Sequence, residues 1–141
     1  MKNKMKLVFY SISENESFAR NVISCFALTL NPSIAELTEI KTAVSEAVTN
    51  AIVHAYSHNL GEITMEAEIE DNILHITIFD SGKGIENVDK ALEPFYTTNE
   101  QDERSGMGFT IMQSFMDSVV VKSNVGLGTQ VYMSKKLKKD A

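Results

Sequence analysis

The sequence predicts an α/β two-layer sandwich, in which an antiparallel or mixed sheet is covered on one face by helices. Apolar residues between positions 37 and 52 recur with the 3.6-residue period of a helix. Apolar and polar residues alternate between positions 63 and 78 as in two half-buried strands, and a second strand pair is predicted over 119–133. At 141 residues the chain is long enough for a hydrophobic core, and we expect positions 1–141 to form a single domain.

The first two predicted elements are a strand and a helix. The run from Lys6 to Ile12 is rich in residues that favour strands. Ser13 and Glu16 have the spacing of a capping box, which predicts the start of a helix. The apolar face of this helix is predicted to contain Phe18, Val22, Cys25, Phe26 and Thr29. Arg20 lies well off that face, so we expect it to be exposed.

A second, longer helix follows the Asn31-Pro32 pair, which breaks the chain. Ser33 and Glu36 repeat the capping-box spacing, so this helix is predicted to begin here and to fray near residues 56–61. The residues of its predicted apolar face are Leu37, Ile40, Val44, Ala47, Val48, Ala51 and Ile52.

Three polar residues accompany the apolar face of the second helix. Glu46, Asn50 and His54 follow one another at i, i+4 and i+8, so they should stack along one side of the helix. A carboxylate, a carboxamide and an imidazole beside a buried face indicate a site. An ordinary amphipathic boundary row is the alternative for this helix alone, and the later motifs decide between the two.

A hairpin is predicted after the second helix. Its first strand should bury Ile63, Met65, Ala67 and Ile69, its second strand should bury Leu74, Ile76 and Ile78, and residues 70–72 supply the turn. The same alternation places Asp80 on the buried face. Because a buried carboxylate is costly without a hydrogen-bond donor, Asp80 needs either a structural partner or a polar ligand.

Two glycine-rich segments flank a long stretch with little predicted structure. Residues 81–84 read SGKG, and these glycines allow positive φ or close approach to a ligand, although a plain tight turn would also use them. Positions 85–105 offer at most one helical turn, near 88–92, and loops of this length are usually functional lids or disordered segments. Residues 106–109 read GMGF and open an apolar helix, whose N-terminus would present free N–H groups to an anion such as phosphate.

Composition and charge restrict the possible functions. The net charge of −6 argues against a nucleic-acid-binding surface, which would be basic. Lys135, Lys136, Lys138 and Lys139 are interpreted as a solvated tail. The single cysteine, Cys25, is interpreted as a core residue in a reducing compartment. The sequence contains no stretch of transmembrane length, so we expect a cytoplasmic protein that binds neither a membrane nor nucleic acid.

The polar and glycine-rich blocks occur in a characteristic order. They are Glu46-xxx-Asn50, DSGKG at 80–84, GMGF at 106–109 and GTQV at 128–131. In this order and spacing they resemble the Bergerat-type ATP site of the GHKL superfamily, which includes gyrase, MutL and histidine kinases. Over its whole length, including PFYTT at 94–98 and RSGMGFTIM at 104–112, the chain is similar to the anti-sigma F factors of endospore-forming bacteria. Members of that family are serine kinases that inhibit a sporulation sigma factor.

The resemblance implies roles for the polar residues of these blocks. Asn50 would coordinate Mg²⁺ through its side-chain oxygen, and Glu46 would orient or deprotonate the attacking serine hydroxyl. Asp80 would accept a hydrogen bond from the adenine amine, so guanine, with a carbonyl at that position, should be disfavoured. Thr129 would lie beneath the nucleotide, and His54 would either support the phosphates or only pack within the helix. The ATP-binding set is completed by Gly82, Gly84, Ser105, Gly106, Met107, Gly108 and Phe109.

The resemblance also implies partners. It predicts a homodimer that sequesters a sigma factor of the sigma F type and uses Mg-ATP to phosphorylate an anti-anti-sigma factor on serine. Arg20 and Arg104 are the two arginines of the chain and are candidates for partner contacts, because arginine is enriched at protein interfaces. Their alternative role is that of solvated surface residues.

Other classes of nucleotide-binding protein fit the sequence less well. Walker-type NTPases and ordinary protein kinases are excluded because their motifs are absent from the sequence. The remaining alternative is a non-catalytic module of the same fold, in which ATP orders a surface that only sequesters a partner. Glu46 distinguishes the two, because sequestration alone would not need a carboxylate at that position.

Overall fold

The computed structural model describes residues 1–93 and 108–137. Its strands are β1 (Lys2–Tyr10), β2 (Glu62–Glu70), β3 (Ile73–Asp80), β4 (Ser118–Asn124) and β5 (Gly128–Lys136). Its helices are α1 (Glu14–Ala27), α2 (Ile34–Asn50), α3 (Val88–Ala91) and α4 (Gly108–Phe115), with a 3₁₀ turn at Leu28–Leu30 and a π-helical turn at Ala51–Ala55. The strands form one sheet in the order β1-β2-β3-β5-β4, and every neighbouring pair is antiparallel.

The helices cover one face of this sheet. Buried residues of α1, α2 and α4 join the inward-facing residues of the strands in one hydrophobic core. The predicted inward positions of the β2–β3 hairpin are all buried: Ile63, Met65, Ala67, Ile69, Leu74, Ile76 and Ile78. The predicted two-layer α/β architecture is therefore confirmed, and its sheet is antiparallel rather than mixed. In the part of the chain that the structure describes, no helix is long and apolar enough to cross a membrane.

Helix α1 is rotated relative to its prediction. Its fully buried residues are Ala19, Ile23 and Ala27, whereas Phe18 and Cys25 are exposed. Two of these three core positions are small alanines, and the larger Val22 and Phe26 are only partly buried against the core. The interpretation of Cys25 as a core residue is wrong.

Arg20 is affected by the same rotation, because it follows the buried Ala19. Its side chain is 39% exposed, so it is half-buried rather than fully solvated. Its Nε lies 3.5 Å from Glu16 Oε1 without forming a hydrogen bond. Glu16 in turn accepts a hydrogen bond from the hydroxyl of Ser45 on α2. Arg20 is thus held against the α1–α2 pair.

One of the two predicted capping boxes is present. At α2 the Ser33 hydroxyl accepts the Glu36 N–H at 3.0 Å, and the Glu36 carboxylate accepts the Ser33 N–H at 2.9 Å. At α1 the Ser13 side chain makes no capping hydrogen bond. The capping box predicted at α1 is wrong because Glu16 contacts Ser45 and Arg20 instead of turning back toward the helix start.

The remaining predicted elements agree with the structure in type and approximate position. Strand β1 begins four residues earlier than predicted, because the polar residues from Lys2 onward pair along β2. The predicted apolar face of α2 is confirmed, with Leu37 partly buried at its start and Ala43 as an additional buried residue. The predicted single turn near 88–92 is α3.

The C-terminal lysines do not all form a solvated tail. Lys135 lies on the inward face of β5 and is buried. Its Nζ donates to the carbonyl oxygen of Phe115 at 2.7 Å and lies 3.6 Å from Glu39 Oε2. The interpretation is therefore wrong for Lys135, which links the end of α4 to α2 because its strand parity turns it inward. Lys136 is exposed, and the other two lysines lie outside the described residues.

Candidate functional site

A cleft of about 410 Å³ opens between the end of α2, the segment after β3, the start of α4 and the β4–β5 turn. Its described lining residues are Ala47, Asn50, Ala51, His54, Ala55, Ile78, Asp80, Lys83, Gly84, Ile85, Glu86, Ala91, Gly108, Phe109, Val125, Thr129 and Val131. The lining is largely apolar with a few polar groups, which is typical of a site for a small molecule or cofactor.

The cleft brings together seven residues that were predicted from sequence to bind a nucleotide: Asn50, His54, Asp80, Gly84, Gly108, Phe109 and Thr129. Glu46 and Gly82 are not among the described lining residues, although each contacts a segment that lines the cleft. Ser105, Gly106 and Met107 lie outside the described residues, as does the predicted partner residue Arg104.

The end of α2 departs from a regular α-helix where it meets the cleft. After Asn50 the chain continues as a π turn, in which the N–H of Tyr56 donates to the carbonyl of Ala51 at 3.1 Å. Such turns are frequent at functional sites. Asn50 and His54 both line the cleft, so the predicted shared side is retained through the turn.

Asp80 is an acidic residue that lines the same cleft. It is the last residue of β3 and stands opposite Thr129 on β5, so its predicted inward direction is confirmed. Its Oδ1 accepts the N–H of Gly82 at 3.0 Å. Burial raises the pKa of Asp80, and the backbone N–H groups of Gly82 and Thr129 lower it only in part. The protein's own donors therefore do not fully compensate the desolvation of this carboxylate, and a donor on a ligand would do so.

The glycines after Asp80 are required by backbone packing. A Cβ on Gly82 would clash with the carbonyl of Ala55 in the π turn, and the neighbouring Lys83 N–H donates to that same carbonyl at 3.0 Å. Gly84 has φ +79°, and a Cβ there would clash with the carbonyl of Asn124. These two contacts join the segment after β3 to the π turn and to the β4–β5 turn, a reason for glycine that the sequence did not reveal.

Ser123 is a site-forming residue that sequence reasoning missed. Its Oγ accepts the N–H of Ile85 at 2.8 Å and lies 2.7 Å from Thr129 Oγ1. Ser123 stands directly opposite Thr129 in the β4–β5 ladder. The sequence could have predicted this pairing, because Ser123 and Thr129 are equally distant from the centre of the predicted turn between β4 and β5.

Tyr56 is a second missed residue. Its hydroxyl accepts the N–H of Ser81 at 2.7 Å and donates to the carbonyl of Glu62 at 2.5 Å. It thereby ties the end of the π turn to the ends of two strands beside Asp80. No pattern in the sequence distinguishes this tyrosine from an ordinary surface aromatic residue.

Glu46, Asn50 and Gly108 meet where α4 begins. A Cβ placed on Gly108 would lie 3.2 Å from Asn50 Nδ2, 3.3 Å from Asn50 Oδ1 and 3.3 Å from Glu46 Oε2. Gly108 thus lets the first turn of α4 approach both polar side chains. A carboxylate and a carboxamide therefore stand beside a helix N-terminus, which carries a partial positive charge.

Comparison with known proteins identifies several similar sequences. The family model of the histidine kinase-like ATPase domain matches residues 13–135. The anti-sigma F factor of Caldanaerobacter subterraneus is 56% identical over an alignment that covers 94% of this chain and 93% of the relative. The anti-sigma F factor of Geobacillus thermodenitrificans is 54% identical, with 99% and 96% covered. That of Clostridium acetobutylicum is 53% identical, with 96% and 95% covered.

Solved structures with low sequence identity share the fold. The structure of the RsbU and RsbW domains of a Mycobacterium tuberculosis protein superposes with a TM-score of 0.73 at 15% identity, covering 99% of this chain and 34% of that one. The catalytic domain of the histidine kinase ThkA superposes with a TM-score of 0.61 at 18% identity, with 94% and 96% covered. At these identities the likeness concerns the fold.

Proposed function

Since the chain belongs to the anti-sigma F factor family and has a histidine kinase-like ATPase domain, we propose that it is a serine protein kinase that inhibits a sigma factor. The sigma factor, of the sigma F type, is the sequestered partner. The phosphorylated substrate is an anti-anti-sigma factor, and the phosphate donor is Mg-ATP. The proposal depends mainly on one observation: Glu46 and Asn50 converge on Gly108 beside a cleft that Asp80 also lines.

Asp80 would recognise the base. Its carboxylate has a raised pKa because burial is only partly compensated by two backbone N–H groups. The exocyclic amine of adenine is a donor and would supply the missing hydrogen bond. The apolar residues Ile78, Ile85 and Val131, which also line the cleft, suit the faces of a purine ring.

Asn50 is suited to hold Mg²⁺ together with the phosphates. Its side chain lines the cleft, and a carboxamide oxygen is a hard ligand that this ion accepts. Among residues 1–93 and 108–137, no group of three His, Cys, Asp or Glu side chains could hold a metal ion alone, so phosphate oxygens would complete the coordination. The bound ion would neutralise phosphate charge, which also makes a carboxylate tolerable at this end of the cleft.

Glu46 is the proposed catalytic base. Its carboxylate stands beside Gly108 and Asn50, where the N-terminal N–H groups of α4 would face the phosphates. In the reaction, the serine Oγ of the substrate forms a bond to the γ-phosphorus, and the bond between that phosphorus and the β–γ bridging oxygen breaks. The hydroxyl proton passes to Glu46, and ADP leaves. General-base assistance of this kind typically contributes roughly 10²–10⁴-fold.

The partner surface is proposed on separate grounds. Arg20 lies on α1 and does not line the cleft, and its half-exposed guanidinium would pair with a carboxylate of the sigma factor or of the anti-anti-sigma factor. Arg104 is proposed for the same role from the sequence alone. The family resemblance also supports a homodimer as the working form, which light scattering after size-exclusion chromatography would test.

Incubation of the purified chain with γ-labelled ATP, Mg²⁺ and the candidate anti-anti-sigma factor tests the proposal. We expect label on a serine of the substrate, and no transfer when Mg²⁺ is removed with EDTA. A parallel binding assay with the sigma factor, run with and without ATP, tests inhibition. ATP-dependent sigma-factor binding without any label transfer would overturn the kinase assignment in favour of a sequestering module.

A further inference from the structure

We propose that the side chain of Lys83 binds the α-phosphate of the nucleotide, the phosphate that is joined to the ribose. This inference rests on the proposed use of the cleft for ATP. It adds a positive charge to the proposed site, and it gives a role to the residue that stands between the two cleft glycines Gly82 and Gly84.

Lys83 is the only lysine or arginine among the described residues that line the cleft. Asp80 and Glu86 line the cleft as well, and Glu46 stands beside it at Gly108, so the described carboxylates outnumber the lysine. The triphosphate of ATP is strongly anionic, and Mg²⁺ neutralises only part of its charge. A lysine held at the cleft would therefore offset the repulsion between the phosphates and these carboxylates.

The backbone of Lys83 is held by hydrogen bonds to two other segments. Its N–H donates to the carbonyl of Ala55 at 3.0 Å, and its carbonyl accepts the N–H of Gly126 at 2.7 Å. The neighbouring Gly82 and Gly84 pack so closely that a Cβ on either would clash with the backbone of another segment. The fold thus fixes where the Lys83 side chain begins, and only the side chain itself can adjust to a ligand.

The ammonium group of Lys83 is available to a ligand. The residue is exposed while it lines the cleft, and within residues 1–93 and 108–137 no carboxylate forms an ion pair with it. A lysine is a compact charge on a flexible four-carbon stem, and it binds phosphate as a point charge. No ion pair between described residues has to break when Lys83 turns toward a phosphate.

The bond to Ala55 indicates which phosphate Lys83 would meet. Ala55 follows Asn50, the proposed Mg²⁺ ligand, by five residues, so Lys83 is anchored about 7 Å along the helix from that ligand. Lys83 also directly follows Gly82, whose N–H donates to Asp80, the proposed base-binding residue. In Mg-ATP the metal holds the β- and γ-phosphates. The α-phosphate lies between these and the base, so it is the phosphate that suits this anchor.

A comparison of AMP with adenosine isolates the proposed contact. The two ligands share the base and the sugar, differ only in the α-phosphate, and need no Mg²⁺. A general loosening of the segment around Lys83 would weaken both ligands alike. The ratio of AMP affinity to adenosine affinity therefore falls only if a contact to the phosphate is lost.

The test is competition titration of the full chain with adenosine, AMP and Mg-ATP against a fluorescent ATP analogue, using wild type, Lys83→Gln and Lys122→Gln. Lys122 is the matched control, because it is an exposed lysine of β4 that is not among the residues lining the cleft. We expect Lys83→Gln to weaken AMP and Mg-ATP by about fivefold each and to leave adenosine affinity unchanged. Lys122→Gln should bind all three ligands as wild type does.

Two further measurements identify charge as the cause. Lys83→Arg keeps the positive charge and should retain the preference for AMP over adenosine. Raising the ionic strength from about 0.05 M to about 0.5 M should lower the AMP/adenosine affinity ratio of the wild type, because salt screens exposed charges. The ratio of Lys83→Gln should change less.

The possible outcomes separate this inference from the kinase proposal. An AMP/adenosine ratio in Lys83→Gln that equals the wild-type ratio would overturn the inference. Loss of Mg-ATP affinity without loss of AMP affinity would also overturn it, because the ammonium group would then act on the terminal phosphates. Both outcomes leave the kinase proposal intact. Failure of the wild type to bind Mg-ATP would overturn the kinase proposal and this inference together.

Discussion

Two groups of residues at the cleft, those proposed to bind the base (the base end) and those proposed to act on the phosphates (the phosphate end), are held in place by different kinds of contact. At the base end, Asp80, Gly84 and Thr129 lie in strands and turns that are joined by hydrogen bonds from one segment to the next. The Gly126 N–H, for example, donates to the Lys83 carbonyl at 2.7 Å, and the Lys83 N–H donates to the Ala55 carbonyl at 3.0 Å. At the phosphate end, Glu46, Asn50 and Gly108 meet because α2 packs against α4 through buried side chains.

Because of this difference, we expect nucleotide affinity and the rate of phosphoryl transfer to be affected by different substitutions. The base end is fixed by many directional bonds, so it can discriminate between donors and acceptors on a purine. The phosphate end depends on the placement of one eight-residue helix, whose far end is held by Lys135. Substitutions at the base end should therefore change nucleotide binding, and substitutions at the phosphate end should change the rate of transfer.

The largest expected effect is that of Glu46→Ala on the rate of serine phosphorylation. Loss of the catalytic carboxylate should lower the rate of serine phosphorylation by roughly 10²–10⁴-fold. ATP affinity should stay close to that of wild type, because the proposed contacts to adenine and to the metal come from Asp80 and Asn50. The measurement is a time course of phosphate incorporation beside a nucleotide titration on the same preparation. The shape-conserving Glu46→Gln should behave alike, and the exposed Glu66→Ala serves as control. Phosphorylation at the wild-type rate would make Glu46 a boundary residue.

The next largest effect is that of Asp80→Asn on ATP affinity. The amide presents a donor where the adenine amine needs an acceptor, and losing such a pairing costs about 1–3 kcal/mol, or roughly a fivefold to 150-fold weaker Kd. Transfer from bound ATP should continue, since the phosphate end is untouched. Equal ATP affinity in calorimetric titrations of both proteins would remove Asp80 from the base site.

A pH series provides a control on the same residue. Because burial holds the pKa of Asp80 above its usual value, ATP affinity should fall as the pH is lowered through that raised pKa, and Asp80→Asn should lack this step. The free energy of unfolding of the unliganded protein should instead rise as the pH is lowered. A raised native pKa stabilises the fold below the unfolded pKa, and this contribution is lost as the pH rises through the native pKa. At neutral pH, Asp80→Asn should therefore melt no lower than wild type.

The sequence predicted the site best where regular periodicity aims a side chain. Strand parity was enough to turn Asp80 inward, and helical spacing was enough to bring Asn50 and His54 to one cleft. Periodicity was insufficient where a contact depends on tertiary packing, because the partners of Ser45 and Lys135 lie far away in sequence. Alanines in α1 misled the prediction for the related reason that close helix packing favours small side chains, which a hydrophobicity pattern underweights.

Lys135→Met tests the phosphate end from the opposite end of α4. The change removes the donor to Phe115 and the ion pair with Glu39, so it should lower the free energy of unfolding by about 1–3 kcal/mol. It should also slow transfer several-fold through a shifted Gly108, with less change in ATP affinity. Thermal unfolding and single-turnover transfer measure the two effects. Lys135→Arg keeps the charge and should retain both properties, whereas an unchanged melting temperature in the methionine variant would show that Lys135 does not hold α4.

Arg20→Glu is expected to have the smallest effect on ATP affinity and on the rate of transfer, because Arg20 is not among the residues that line the cleft. Arg20 contacts Glu16, and Glu16 is bonded to Ser45, so the guanidinium is held at the α1 surface independently of ATP. Reversing its charge should weaken binding of the sigma factor or of the anti-anti-sigma factor, because a partner carboxylate would then face a carboxylate.

The new side chain also stands one turn from Glu16, so thermal unfolding must accompany the binding assay. Arg20→Ala removes the pairing without repulsion and should weaken the partner less, and Lys6→Glu, an equal reversal on the outer face of β1, should leave it unchanged. ATP titration should give wild-type affinity for all three variants. If pull-downs with Arg20→Glu recover both partners as efficiently as wild type, Arg20 is a surface residue of the α1–α2 pair, and the partner surface lies elsewhere.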